Sequence, residues 1–135
     1  MKKCFALFLI VACMLSGCHR EGSWEFQYEV ERVTQIKLVD MRTEWEYSVI
    51  QELEIGSASD LFSDIRTLNW RRYGPNLATP RGICILFLYD NGEYDIVSYH
   101  EPKHYRIKDG VVQPFNTWLC CDQEAFEAIV NKYLK

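Results

Sequence analysis

Apolar and polar residues change their spacing along this chain, and each change predicts an element. Trp24, Phe26, Tyr28 and Val30 alternate with Glu25, Gln27, Glu29 and Glu31. A period of two predicts a strand with one buried face and one acidic, solvated face. Thr34 to Met41 predicts a second strand. Alternation returns from Glu44 to Ile55, with Trp45, Tyr47, Val49, Leu53 and Ile55 on one side and Gln51 interrupting it. The period then lengthens. Leu61, Phe62, Ile65 and Leu68 recur at helical spacing behind Ser57 and Asp60, which outline a capping box, so a helix is expected from about Ala58 to Trp70. Gly74-Pro75 lies beyond its end, and Asn76 to Arg81 reads as a loop with a second proline.

Ile83 to Tyr89 is nearly all apolar, the pattern of a central strand covered on both faces. Asn91-Gly92 separates it from Tyr94 to Tyr99 and predicts a hairpin turn with positive φ at both central residues. Lys103 to Ile107, Asp109-Gly110 and Val111 to Gln113 repeat that arrangement more weakly, and Thr117 to Cys121 is a short final strand. Asp122 then caps a helix with Phe126, Ile129, Val130 and Tyr133 on one stripe. Strands, helix, hairpins and helix in that order predict an α+β domain: an antiparallel sheet of about five to seven strands with two helices packed on one face. Alternating strand–helix units and a Gly-rich phosphate loop are absent from the sequence, which excludes a doubly wound nucleotide-binding fold.

A different pattern precedes all of this. Lys2-Lys3 is followed by an apolar run from Cys4 to Leu15 and then by Leu15-Ser16-Gly17-Cys18. The run is about a dozen residues, the length of a signal h-region, and short of the roughly 20 needed to span a bilayer. Ser16 and Gly17 are small, as a peptidase cleft requires before its cut. The segment resembles a bacterial lipoprotein signal peptide ending in a lipobox. That resemblance covers residues 1 to 18 and implies cleavage before Cys18, a diacylglycerol on its thiol and often an N-acyl chain. The expected organisation is a signal peptide over 1–17, a lipidated tether over 18–23 and one domain over 24–135. The expected address is the extracytoplasmic side of the cell membrane or outer membrane.

Processing alters the charge. The full chain carries 15 basic and 19 acidic residues. Removal of Lys2 and Lys3 leaves 13 basic residues against 19 acidic, so the mature chain carries about −6. An acidic surface argues against nucleic acid as a partner and against electrostatic adsorption to anionic lipid. The lipid on Cys18 is the expected contact with the membrane.

Four groups of residues are candidates for chemistry or binding. His100-Glu101-Pro102-Lys103-His104 matches the letters of the H-E-x-x-H zinc-hydrolase motif. That motif needs both imidazoles on one helical face, and Pro102 would break the helix at a cost of roughly 3 kcal/mol. The segment therefore reads as a proline-bent connection between strands, with His100 and His104 as weak metal candidates and no cofactor expected. Beyond Cys18 and the signal segment, Cys84, Cys120 and Cys121 remain. Cys84 fits a small core residue, and adjacent cysteines in a strand point to opposite faces, so Cys84 either stays free or pairs with Cys120 or Cys121. Arg66, Arg71, Arg72 and Arg81 gather around a helix end and a long loop. With Trp70 and Tyr73 as aromatic anchors they form a candidate docking patch for an acidic partner or ligand. Asp90, Glu93 and Asp95 surround the Asn91-Gly92 turn without the spacing of a calcium loop.

Anchor, size and the lack of a convincing catalytic group point to a non-enzymatic envelope lipoprotein. It is expected to bind a protein partner or ligand through a sheet edge or the arginine loop. Trp24 to Val30 is the expected edge. A zinc-dependent hydrolase built on His100, Glu101 and His104 is the alternative from another class. An immunity or inhibitor-type lipoprotein is a third.

Overall fold

A computed structural model describes residues 20–42, 46–72, 82–99, 104–109, 111–115 and 119–135, with 20, 104–108 and 111–115 described as backbone. The fold is α+β. In chain order the strands are β1 (Arg20–Glu21), β2 (Val33–Met41), β3 (Tyr47–Leu53), β4 (Arg71–Arg72), β5 (Gly82–Tyr89), β6 (Tyr94–Val97), β7 (His104–Lys108), β8 (Val111–Phe115) and β9 (Leu119–Cys120). Helix α1 (Ala58–Thr67) lies between β3 and β4, and α2 (Gln123–Tyr133) follows β9.

The main sheet is antiparallel, in the order β3-β2-β5-β6-β7-β8. The side chains of four of these strands, β3-β2-β5-β6, are described. The backbone of β7 and β8 continues the ladder. A small second ladder joins β1, β4 and β9, with β4 in its centre.

Strand β5 holds the fold together because it buries both of its faces. Ile85, Phe87 and Tyr89 join Ile36 and Leu38 of β2, Val97 of β6 and the buried faces of both helices in the larger core. Cys84 and Leu86 point the other way and join Val39, Met41 and Ile96. The apolar run from Ile83 to Tyr89 is thus two interleaved faces.

The first expected strand is not one. Trp24 to Tyr28 pairs in no ladder, and Val30–Arg32 is a single 3-10 turn. Its alternation nonetheless has a physical meaning. Trp24 lies against Trp70 with ring centroids 5.2 Å apart. Phe26 stacks on Phe62 at 3.6 Å and meets the edge of Phe87 at 5.4 Å. Tyr28 meets Tyr89 edge-on at 5.0 Å. The segment is an extended arm laid over the helical side of the sheet. Period two reports extended backbone with one buried face, and a ladder is only one way to satisfy that backbone.

Local chemistry differs from expectation at three further places. Ser57 does not cap α1. Its hydroxyl donates back to the Glu54 carbonyl at 2.6 Å, and a 3-10 turn over Ile55–Ser57 leads into the helix. Helix α1 stops at Thr67 because Leu68 leaves helical conformation with ψ 145°. The turn at 90–92 has three loop residues closed by Tyr89 N–H donating to the Glu93 carbonyl at 2.9 Å. Only Gly92 takes positive φ there, at 81°. A three-residue loop needs one left-handed residue at its end, whereas the two-residue turn expected for Asn91-Gly92 needs two. The cap of α2 is as expected: the Asp122 carboxylate accepts from Ala125 N–H at 3.1 Å.

The tether expected over 18–23 is already part of the fold at Arg20. Glu21 stands opposite Arg71 in the ladder, and Gly22 N–H donates to the Trp70 carbonyl at 2.9 Å. A Cβ at Gly22 would run into Leu119 Cδ2, so a larger residue there would have to displace that buried side chain. Cys18 and the signal segment lie outside the described residues.

Phe87 touches both aromatic rings that pin the arm and has no exposed surface. Phe87→Ala is expected to lower unfolding free energy by on the order of 3–5 kcal/mol in a urea titration. A loss below about 1 kcal/mol, the range of ordinary surface substitutions, would remove the arm–sheet core from the account of stability.

Candidate functional site

The described surface offers one conspicuous apolar feature, the outer strand β3. In the sheet order it has β2 on one side and no described strand on the other. Its register explains what it exposes. Leu38 stands opposite Gln51 and Val39 opposite Val49, so Ile50 has no partner across the ladder. Such a bulge bends an edge strand and re-aims the extra side chain. Tyr47, Val49 and Ile50 are 41%, 52% and 48% exposed, and Ile55 just beyond the strand is 50% exposed. Tyr47 stands opposite Met41, and Val49 opposite Val39. Cross-strand partners share a face. These side chains therefore extend the smaller apolar cluster of Val39, Met41, Cys84, Leu86 and Ile96 out to solvent. Exposed glutamates at 46, 52 and 54 border the stretch.

The arginine patch is distributed differently from expectation. Trp70 is not a surface anchor: it is 1% exposed, and its Nε1–H donates to the Ile65 carbonyl at 2.8 Å, satisfying the end of α1. The chain turns at Leu68 and folds the indole beneath the helix. Arg71 and Arg72 sit in the middle strand of the small ladder, between β1 and β9, rather than in a loop. Arg71 is half-buried and Arg72 exposed. Arg66 lies over the rings of Phe26 and Phe62, 5.4 and 5.7 Å from their centroids. It borders a groove of about 290 Å³ with Glu29, Val30, Ser59, Ser63 and Thr67. Tyr73 and Arg81 lie outside the described residues, as do His100 and Glu101. His104 opens β7, so the H-E-x-x-H letters end in a strand.

Cys84, Cys120 and Cys121 are all free and buried. The expected option of a bridge to Cys84 is not taken. Cys84 belongs to the smaller apolar cluster and Cys121 to the larger, on opposite sides of the sheet. Burial pushes the thiols of Cys84 and Cys121 up to about 12. Both are poor nucleophiles at neutral pH. Native protein is expected to resist iodoacetamide at these thiols at pH 8, all three alkylating once urea unfolds the chain. Reaction at Cys84 or Cys121 in the folded state at the unfolded rate would contradict their burial.

The acids near the turn work as fasteners. Asp95, 1% exposed, accepts from Gln27 N–H and from the Tyr89 hydroxyl, both at 2.7 Å. Glu93 accepts from the Tyr28 hydroxyl, from Gln27 Nε2 and, through its other oxygen, from Asp109 N–H at 2.7 Å. Asp90 pairs with Arg32 at 2.6 Å, and that guanidinium also covers the Tyr28 ring at 4.2 Å. Among the described residues no group of three or more His, Cys, Asp or Glu is placed to hold a metal ion. These fasteners were not legible beforehand, because the arm was expected to pair with strands and not with carboxylates.

No family model matches this chain, and neither a curated protein nor a solved structure is similar to it.

The Glu93 contacts generate a pH dependence. Donation from the Tyr28 hydroxyl, then from Asp109 N–H, holds its carboxyl below the usual glutamate range, against the opposing effect of burial. A depressed folded value contributes stability that is present above about pH 4–5 and is lost as pH falls through the folded value. Glu93→Gln is therefore expected to flatten the fall of Tm between about pH 5 and pH 3. Parallel Tm–pH curves for wild type and variant would remove Glu93 as an acid-sensitive fastener.

Proposed function

We propose that this chain is an envelope lipoprotein, anchored through lipid on Cys18 at the extracytoplasmic face, whose domain binds a protein partner without catalysing a reaction. The observation that carries the binding part is the β3 edge, where Tyr47, Val49 and Ile50 stand exposed on a strand paired with β2 on one side and with no described strand on the other. Exposed apolar side chains on a sheet edge are an aggregation hazard that proteins ordinarily remove, so a partner that covers them is the economical account.

The N-terminal residues supply the anchoring part. Lys2-Lys3, the apolar run and Leu15-Ser16-Gly17-Cys18 are the marks of a lipobox signal. One residue, His19, separates the lipidated cysteine from strand β1. The domain would stand directly on the membrane, with the small β1-β4-β9 ladder at its attached end. The described groups that might have served chemistry are otherwise occupied. Glu93 and Asp95 hold the arm, and the Cys84 and Cys121 thiols are buried with raised pKa. An inhibitor or immunity role would use the same edge and is a special case of this reading.

Two measurements test it on intact cells. The wild-type chain should enter the detergent phase on phase partition, carrying lipid mass that Cys18→Ala lacks. In-cell crosslinking should recover a discrete protein partner with the anchored form and not with Cys18→Ala. An aqueous, unlipidated wild-type protein would defeat the anchoring half, and no crosslinked partner the binding half.

A further inference from the structure

Resting on the anchoring half of the reading above, we infer that the β1-β4-β9 ladder binds the headgroup phosphate of an acidic phospholipid in the membrane that holds Cys18, at the positions of Arg20 and Arg72. Register places these two arginines directly opposite one another in the antiparallel pair of β1 and β4. Like charges at opposed positions are destabilising. Nothing in the ladder offsets this pair. On its other side Arg72 stands opposite Leu119, which is buried and apolar. The ladder's one acidic residue, Glu21, stands opposite Arg71, and neighbouring residues of a strand point to opposite faces. Three cations elsewhere have carboxylates: Arg32 has Asp90, Lys132 has Asp64 and Lys135 has Glu54. Among the described residues Arg72 has none, and it is exposed. An anion between the two positions turns repulsion into attraction. A guanidinium fork matches phosphate through two parallel N–H···O bonds.

The place of the ladder in the chain identifies the source of that anion. Two residues of extended chain reach at most about 7 Å, so Arg20 is held that close to Cys18. Arg72 is about 5 Å further, across the ladder. Arg72 Cγ stands 3.3 Å from the point a Cβ on Gly22 would occupy, so its stem lies along the anchored strand. Charge is distributed to match. The three arginines and one glutamate of β1 and β4 carry +2, which leaves −8 on the rest of the mature chain. The net charge opposes adsorption of a free domain to anionic lipid, but exposed charges act over a Debye length of only about 8 Å. A domain of this length is several times that across. The anchor therefore brings one end, and not the whole acidic surface, within range of the headgroups. A zwitterionic headgroup carries its own cation beside the phosphate and is the weaker match.

Native mass spectrometry tests this on the full lipidated protein released from micelles that hold equal phosphatidylglycerol and phosphatidylcholine. The protein should retain phosphatidylglycerol in preference. Arg72→Gln should lower that preference about fivefold, with Tm in neutral detergent unchanged or raised because a repulsion is removed. Arg20→Gln should do the same, and decides the matter should Arg72→Gln lower Tm. Arg32→Gln removes the same charge beside the 90–92 turn and should leave the preference intact. An equal loss there would reduce the effect to net charge and overturn the site. Inorganic phosphate should displace the lipid no better than chloride of equal ionic strength. Better displacement would make this a free-anion site and overturn the headgroup assignment. The same spectra read the lipid mass on Cys18. A lipidated protein that retains both phospholipids equally overturns the inference and leaves the anchoring reading standing. Wild type without that mass overturns both.

Discussion

Two buried carboxylates hold the aromatic arm in place, and the larger core depends on them. Asp95 lies on the helical side of β6, opposite Phe87 in register, where an apolar residue would ordinarily pack. Its carboxylate instead accepts the backbone N–H of Gln27 and the hydroxyl of Tyr89. An arm that forms no ladder leaves its own N–H groups to be satisfied by something else, and buried donors without partners cost about as much as a lost hydrogen bond. Asp95 answers that need for Gln27. Glu93 adds the Tyr28 hydroxyl and ties the same place to Asp109 at the start of the next turn. With Gln27 and Tyr28 fixed, Phe26 stacks on Phe62 and Trp24 closes over Trp70. The arm thereby finishes a core that α1 and β5 leave open.

That arrangement clarifies how a chain of this size maintains an apolar strand buried on both faces. Helices and arm cover one side of β5, and the alternate residues Cys84 and Leu86 sit in a separate cluster on the other. The sheet is a partition between two apolar compartments. Thiols on its two sides cannot meet, so Cys84 stays a small hydrophobe. The partition also explains the edge. The second compartment continues through Val39 and Met41 to their cross-strand neighbours Val49 and Tyr47, where the described sheet ends and the apolar surface meets solvent.

Much of the fold was legible in the spacing of apolar residues, and the failures share a cause. The strand over Val33–Met41, the β5–β6 hairpin and the helix capped by Asp122 depend on local periodicity and local hydrogen bonds, which sequence displays directly. Trp24 to Tyr28 shows the limit. Its alternation correctly marks Trp24, Phe26 and Tyr28 as facing inward, but whether the backbone bonds to a strand or to carboxylates nearly 70 residues away is a tertiary fact. Asn91-Gly92 marks a turn, yet its length depends on where Tyr89 and Glu93 pair. Trp70 reads as an exposed anchor only until the chain reverses at Leu68 and hides it. The β3 edge was half legible. Tyr47 and Val49 stand out in the alternation, but their exposure follows from strand order and from a bulge that no single-strand pattern reveals.

On the proposed reading, the anchor and the edge make sense of one another. Contact with the few exposed residues of β3 covers a small surface, and small polar-bordered contacts give weak complexes in free solution. A lipid on Cys18, with His19 alone before the first strand, confines the domain to the membrane surface. Confinement raises the effective concentration of any partner held in the same layer, so a weak contact suffices for occupancy. Anchoring supplies the encounter, and the exposed edge supplies the contact.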